Sequence, residues 1–339
     1  MKKIIVFVTA VVSVSWTAQS AAVTKTGTTA ANFLKASVGS RAVGMGGAFV
    51  ARASDLSAMY WNPSGIARLS GAGALFCHTR WLADIGIDYA ALAVPAGRLG
   101  TLGVSAMFMS MDEMERTTIN EPDGTGEMFD AGSYAVGLTY ASNLTDRFSI
   151  GGSVKVIHET IYHSSATGIA FDIGTLFTTQ LSGLNIGMSI TNYGMKMQMG
   201  GRDMMVQHDI DALVSGNNQN INANLQTESY DLPLMFRVGV SMDLLKGRGN
   251  SNLLLSVDAL HPNDDVESLN LGGEYVFNRM FSLRAGYNSL FAQEAEPGLC
   301  AGAGICAALK GDMTLVLDYA YMDFGVLKEV QMFTLALGF

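Results

Sequence analysis

Beyond residue 72 the chain alternates. In 148–156, Phe148, Ile150, Val154 and Val156 share one face, and Ser149, Ser153 and Lys155 share the other. In 269–277, Leu269, Leu271, Tyr275 and Phe277 oppose Asn270 and Glu274; in 281–288, Phe281, Leu283, Ala285 and Tyr287 oppose Ser282, Arg284 and Asn288. The segment 313–321 sets Met313, Leu315, Leu317, Tyr319 and Tyr321 against Thr314 and Asp318, and the last segment sets Phe333, Leu335, Leu337 and Phe339 against Thr334, Ala336 and Gly338. A period of two is the signature of a strand with two unlike faces. The pattern predicts fourteen strands: 73–81, 84–95, 99–115, 129–142, 147–163, 166–180, 184–195, 233–245, 251–261, 268–277, 281–291, 298–309, 313–323 and 329–339.

The position of charge separates a membrane barrel from a soluble sandwich. Lys155, Asp172, Arg237, Asp258, Glu274, Arg284 and Asp318 all fall mid-strand, on the face otherwise made of Gly, Ala and Ser. A cation at mid-membrane on the lipid side of a barrel costs about 2–4 kcal/mol, so one-sided charge fits a wall whose other side faces lipid. The seven residues are expected to form a lumenal charge network, with Glu274 facing Arg284 across the 277–281 turn. Tight turns, as at 143–147 and 277–281, alternate with longer links, as at 117–129, 195–232 and 261–268, as in outer-membrane barrels. An even strand count predicts both chain ends on the periplasmic side. The terminal Phe339, closing an alternating strand, fits the C-terminal signal read by the barrel-assembly machinery. The expected fold class is therefore an all-β, 14-stranded antiparallel barrel in outer-membrane lipid.

Composition agrees with that picture. Of 339 residues only 15% are charged, against roughly 25% in soluble domains, while 49% are hydrophobic. Such a chain is too apolar for disorder. A net charge of −9 argues against nucleic acid as a partner. Lys2 and Lys3, the apolar run from Ile4 to Val14 and the small residues at 18–22 read as a secretory signal peptide. The expected organisation is 1–20 signal peptide, 21–72 an N-terminal hatch, and 73–339 barrel.

Residues 33–70 do not alternate. Gly44, Gly46 and Gly47 lack the Lys-Ser/Thr of a phosphate loop, and a segment packed closely on the barrel wall is the expectation. Asn62-Pro63 marks a turn after a short helical stretch at 54–60. The longest link holds Met195, Met197, Met199, Met204 and Met205, then the asparagines 217, 218, 220, 222 and 224, with little periodicity. Met197, Met199, Arg202, Asp203, Met204 and Met205 form a candidate partner loop, because methionines make adaptable apolar surfaces. Cys300 and Cys306 lie six residues apart on one strand, ~20 Å at ~3.3 Å per residue, too far for a disulfide; free thiols are expected. No catalytic constellation, zinc spacing or cofactor motif is present in the sequence, and the chain reads as a non-enzyme.

The run GSRAVGMGGAFVARASDLSAMYWNPSGIARL, residues 39–69, resembles the N-terminal signature of PorV/PorQ proteins, relatives of the FadL outer-membrane transporters. HTRWLADIGIDYAALAVPAGRLGTLGVS at 78–105, TGIAFDIGTLF at 167–177 and Gly201-Arg202-Asp203-Met204 resemble later blocks of that family, and Ser64 departs from its expected alanine. The resemblance implies a fourteen-stranded FadL-like barrel with the N-terminal segment as a lumenal hatch. It marks Arg41, Gly44, Gly46, Gly47, Asp55, Trp61, Asn62, Pro63 and Gly65 as the hatch motif. It further implies a role in type IX secretion, receiving exported proteins with a C-terminal signal domain alongside other type IX components. The alternative it implies is FadL-like transport of long-chain fatty acids or other hydrophobic small molecules.

Overall fold

The computed structural model describes residues 25–181, 183–210, 213, 218, 220–245, 250–292, 298–309, 311 and 313–339; the signal peptide expected at 1–20 lies outside them. Fourteen strands form the wall: β1 (Gly73–Arg80), β2 (Gly86–Pro95), β3 (Thr101–Ser110), β4 (Ala131–Thr145), β5 (Phe148–Ile161), β6 (Ser164–Thr178), β7 (Leu184–Gly194), β8 (Met235–Asp243), β9 (Asn252–Pro262), β10 (Ser268–Phe277), β11 (Phe281–Leu290), β12 (Leu299–Ala308), β13 (Thr314–Asp323) and β14 (Glu329–Gly338). Each pairs antiparallel with its sequence neighbour, and β1 pairs with β14, Gly73 opposite Gly338. The ring is closed and leaves no edge, the requirement for spanning lipid with strands.

The alternation maps directly onto the wall. Leu92, Val104, Leu138, Val154, Ile173, Leu283, Leu317 and Leu335 project outward and are exposed. Between them Thr139, Ser153, Asp172, Ser241, Asp258 and Glu274 are buried inside. Most strands are 9–11 residues long, which at ~3.3 Å per residue and ~45° tilt spans the ~25 Å apolar band of an outer membrane. The chain is thus a multi-pass outer-membrane β-barrel.

Strands β4, β5 and β6 are longer, 15, 14 and 15 residues. Strand β6 begins at Ser164, but β7 reaches only to Gly194 opposite Ala170. The β5–β6 hairpin therefore rises past its neighbour at the loop end. Loop residues Gly200 and Gly201 pair with Ser165 and Ser164 and cover the part of β6 that rises beyond the ring. The third strand was expected to run to 115; it stops at Ser110, and Met114–Glu115 pairs instead with Met128–Phe129 inside its own loop.

Residues 25–72 fill the lumen with short turns: 3-10 segments at Asn32–Lys35 and Pro63–Arg68, and single helical turns at Ser40–Gly44 and Ala58–Trp61. Asn62 accepts a hydrogen bond from the Ser64 amide at the start of Pro63–Arg68, with Pro63 in the first position, a start set by local chemistry. Phe33, Leu34, Val38, Val43, Met45, Phe49, Met59, Trp61 and Ile66 are buried, so the apolar core lies between hatch and wall.

The hatch runs from the loop end to the turn end. Thr29 bridges Asp231, the Ala31 amide reaches Glu159, and Lys35 pairs with Asp264, all at the loop end. Ala72 receives the Phe339 amide at the turn end, 2.8 Å. The two ends of the barrel thus lie together at the turn end, whereas the described N-terminal residues lie at the loop end. The parity rule counts strands, and the hatch crosses the membrane thickness without being one.

Candidate functional site

Two places gather the polar and apolar groups singled out by the sequence: the seam between hatch and wall, and a cavity at the loop end.

At the seam, backbone meets glycine. Gly46 and Gly47 adopt φ of +64° and +75°, a left-handed reversal that carries Met45 and Gly46 onto Gly272 and Gly286 of β10 and β11. A Cβ on Gly46 would lie 2.6 Å from the Tyr287 nitrogen, and one on Gly44 3.1 Å from the Gly302 Cα. The same contact recurs around the wall: Gly151 under Pro63, Gly174 under Asn62, and Gly187 under Val50. The Cβ of Gly65 would strike the Ala53 carbonyl inside the hatch itself.

Polar pins complete the seam. The Glu274 carboxylate holds two guanidiniums, Arg41 at 2.7 and 2.9 Å and Arg284 at 2.9 Å, and Arg284 reaches Asp318 at 2.6 Å. Arg41 also reaches Asp55 at 3.4 Å, and Asp55 accepts from the Ser57 amide and hydroxyl. Asp258 accepts from the Phe49 and Val50 amides, 2.7 and 2.8 Å. Trp61 donates its indole N–H to the Val38 carbonyl at 2.8 Å. The Asn62 amide donates to the carbonyls of Val50 and Thr175, tying hatch to β6.

The expected single charge network is three separate arrangements. Glu274, Arg284 and Asp318 join Arg41 of the hatch, a partner that face patterning within the barrel strands had no means to supply. Lys155 pairs with Asp172 at 2.9 Å and donates to Asn192, on the opposite side. Arg237 and Asp258 form no ion pair among the described residues. Arg237 lies over the rings of Trp61 and Tyr60, 5.3 and 5.9 Å from their centroids, and donates to Thr191. Hatch groups, amides for Asp258 and aromatic faces for Arg237, lie between wall residues that the strand pattern makes neighbours. A void of about 30 Å³ lies beside the hatch, between Met59, Tyr60, Tyr89, Met107 and Lys155.

The loop-end cavity is larger, about 410 Å³, lined by Arg116, Phe129, Ile161, Tyr162, Ser164, Met199, Asp203 and Met204. Three segments build it: the 111–130 link, the raised β5–β6 hairpin and the 195–234 link. A polar chain clasps them together. Arg116 pairs with Glu127 at 2.6 Å, and Tyr162 donates to Glu127. Those two contacts, Tyr162 first and Arg116 second, hold the Glu127 carboxyl below its usual range. His163 stacks beside Tyr162 and contacts Asp203 through Nδ1 at 3.1 Å, while Arg202 donates to Nε2 at 2.7 Å.

The candidate partner loop divides. Met197 is a core residue, buried against Gly168 of β6, and Met199 packs on the core and lines the cavity. Arg202, Asp203 and Met205 are exposed and Met204 is half-buried. The link also holds more order than its composition predicted: Met205–His208 pairs with Ile221–Asn224, and Met197–Gln198 with Ser229–Tyr230; the expected asparagine at 217 lies outside the described residues. Sequence reasoning missed Arg116, Phe129, Ile161 and Tyr162, which lie on two other segments and carry no motif. Cys77, Cys300 and Cys306 are free thiols.

Residues 7–170 are similar to UPF0164, an uncharacterised protein family. No curated protein matches the chain. Among solved structures it is similar to a Pseudomonas aeruginosa FadL homologue, at 12% identity and TM-score 0.54, covering 88% of this chain and 97% of that one. The Ralstonia pickettii toluene transporter TbuX gives 11% identity and TM-score 0.54 over 88% and 97%. The CymD monoaromatic hydrocarbon channel gives 11% and 0.53 over 88% and 96%. At these identities the likeness is one of fold: a FadL-like outer-membrane barrel. The finer resemblance to PorV/PorQ proteins rests on the quoted motifs alone.

Proposed function

We propose that the chain is a non-enzymatic barrel that captures an apolar small molecule at its loop end for passage across the outer membrane. The observation that carries this is the loop-end cavity, about 410 Å³ and walled by Phe129, Ile161, Met199 and Met204, above a lumen closed by the hatch. A cavity of that size holds a compact hydrocarbon, and apolar walls with few polar groups are what such ligands use. The similar solved structures include a toluene transporter and a monoaromatic hydrocarbon channel, which supports the direction of the reading.

The test is uptake of the neutral fluorophore N-phenyl-1-naphthylamine by cells displaying the barrel, with surface display checked separately. Faster uptake than in cells without it, lost in Met199→Trp, is the expected result. Uptake equal to background with the barrel displayed would sink the reading.

A second reading keeps the secretion role, with exported proteins bearing a C-terminal signal domain as partners. The paired Met205–His208 and Ile221–Asn224 segments favour it, since Met205 and Val206 are exposed on a surface that nothing among the described residues covers. Co-purification of such proteins, abolished by trimming 205–224, is its expected outcome; recovery of the barrel with none bound counts against it.

A further inference from the structure

The strand order sorts charge between the two ends of the barrel. Among the described residues, the seven loop-end links carry fifteen acidic residues and four basic ones, and the six turn-end links carry one acidic and three basic. An overall charge of −9 therefore hides a strongly negative mouth and a positive base. The 111–130 link alone holds Asp112, Glu113, Glu115, Glu121, Asp123, Glu127 and Asp130, every one exposed, against the single cation Arg116.

Two of these acidic links reach the cavity. Arg116 and Phe129 of the 111–130 link line it, and Asp203 lines it from the other side. The one cation on the cavity wall, Arg116, is paired with Glu127, and Arg202, just outside it, donates to His163. A ligand carboxylate entering here meets no free guanidinium on the cavity wall and crosses a field of like charge. A field of one sign around a cleft raises the local concentration of opposite charge and depletes like charge, by tenfold or more.

We propose that the loop end selects by charge: its cavity admits electroneutral and cationic apolar molecules of about two fused rings and disfavours anionic amphiphiles such as fatty-acid carboxylates. The proposal rests on the capture reading above and adds the substrate class.

The experiment compares two probes with one skeleton, N-phenyl-1-naphthylamine and its sulfonate, 8-anilinonaphthalene-1-sulfonate. Both are titrated into the purified full-length barrel in a neutral maltoside detergent, with Met199→Trp as the cavity-filled background. The neutral probe binds at least about tenfold more tightly at low salt. The gap narrows severalfold at about 0.5 M salt, where the screening length falls to a few ångströms. It also narrows in a variant carrying Asp112→Asn, Glu113→Gln, Asp123→Asn and Asp130→Asn, which are exposed side chains remote from the seam, while neutral-probe affinity is unchanged.

Equal binding of the two probes, or a gap indifferent to both salt and the variant, overturns charge selection and leaves capture standing. Failure of both probes to bind above the Met199→Trp background overturns capture itself, and the proposal with it. Heat-modified electrophoretic mobility checks that each variant is folded.

Discussion

The hatch seam and the loop end are both built with glycine, methionine and charged residues, yet one is closed and the other open. At the seam Met45 and Met59 are buried against the wall, and Gly46, Gly272 and Gly286 bring backbone to backbone. At the loop end Met205 is half-exposed and Gly200 has open space where a Cβ would sit. Charge follows the same division. Glu274 is buried and shared by two guanidiniums, whereas Glu127 holds its partners in water. Residue type therefore does not decide role; the depth of the position does. A buried ion pair becomes a pin because breaking it strands a charge, and an exposed pair is worth little by itself.

The largest effect is expected where one carboxylate serves two cations. Glu274→Gln leaves Arg41 and Arg284 with weakened partners inside the barrel and costs about 3–5 kcal/mol, read as a drop in thermal midpoint or as loss of heat-modifiable mobility. Glu274→Gln and Arg284→Gln combined should cost less than the sum of the singles, with a coupling of about 1 kcal/mol or more. Additive effects would show that the pair is not an energetic unit.

Next comes steric closure. Gly44→Ala forces a Cβ to 3.1 Å from Gly302, and overpacking of that kind costs about 1–3 kcal/mol. The comparison breaks if the substitution is silent. Asp258→Ala removes the acceptor of two hatch amides and costs about 1–3 kcal/mol; the cleanest readout is hydrogen exchange at Phe49 and Val50, which should speed up while exchange in β3 does not. The smallest effect belongs to the loop end: Gly200→Ala should stay within about 0.5 kcal/mol, as for surface sites generally. A larger loss there would mean that the cover over the β6 edge contributes to the fold.

The wall was legible in the sequence because lipid on one side and hatch on the other impose a period of two along most of each strand, broken locally where the register shifts. The inward placement of Asp172, Asp258, Glu274, Arg284 and Asp318 follows from that period. Their partners do not. Arg41 and Glu274 are 233 residues apart, and which wall residue meets which hatch residue depends on where the hatch lies in the lumen, which strand patterning does not encode. Arg237 shows the cost of reading neighbours by strand alone: it is expected in one network with the other six charges, and two aromatic faces of the hatch hold it instead. Met197 was misplaced because a two-residue ladder, too short to leave a periodic trace, turns it into the wall. The hatch motif was visible as a run of glycines and Asn62-Pro63, but its direction through the lumen was not, since nothing local in residues 29–35 marks them as reaching Asp231 and Asp264.

The central claim is that an apolar molecule rests at the loop end, above a lumen that the hatch keeps shut. The most direct measurement is anomalous diffraction from crystals of the full-length barrel soaked with 1-bromonaphthalene. The account predicts a bromine peak among Phe129, Ile161, Met199 and Met204, absent in Met199→Trp. A peak only on the lipid-facing wall, with the cavity unchanged, would contradict it.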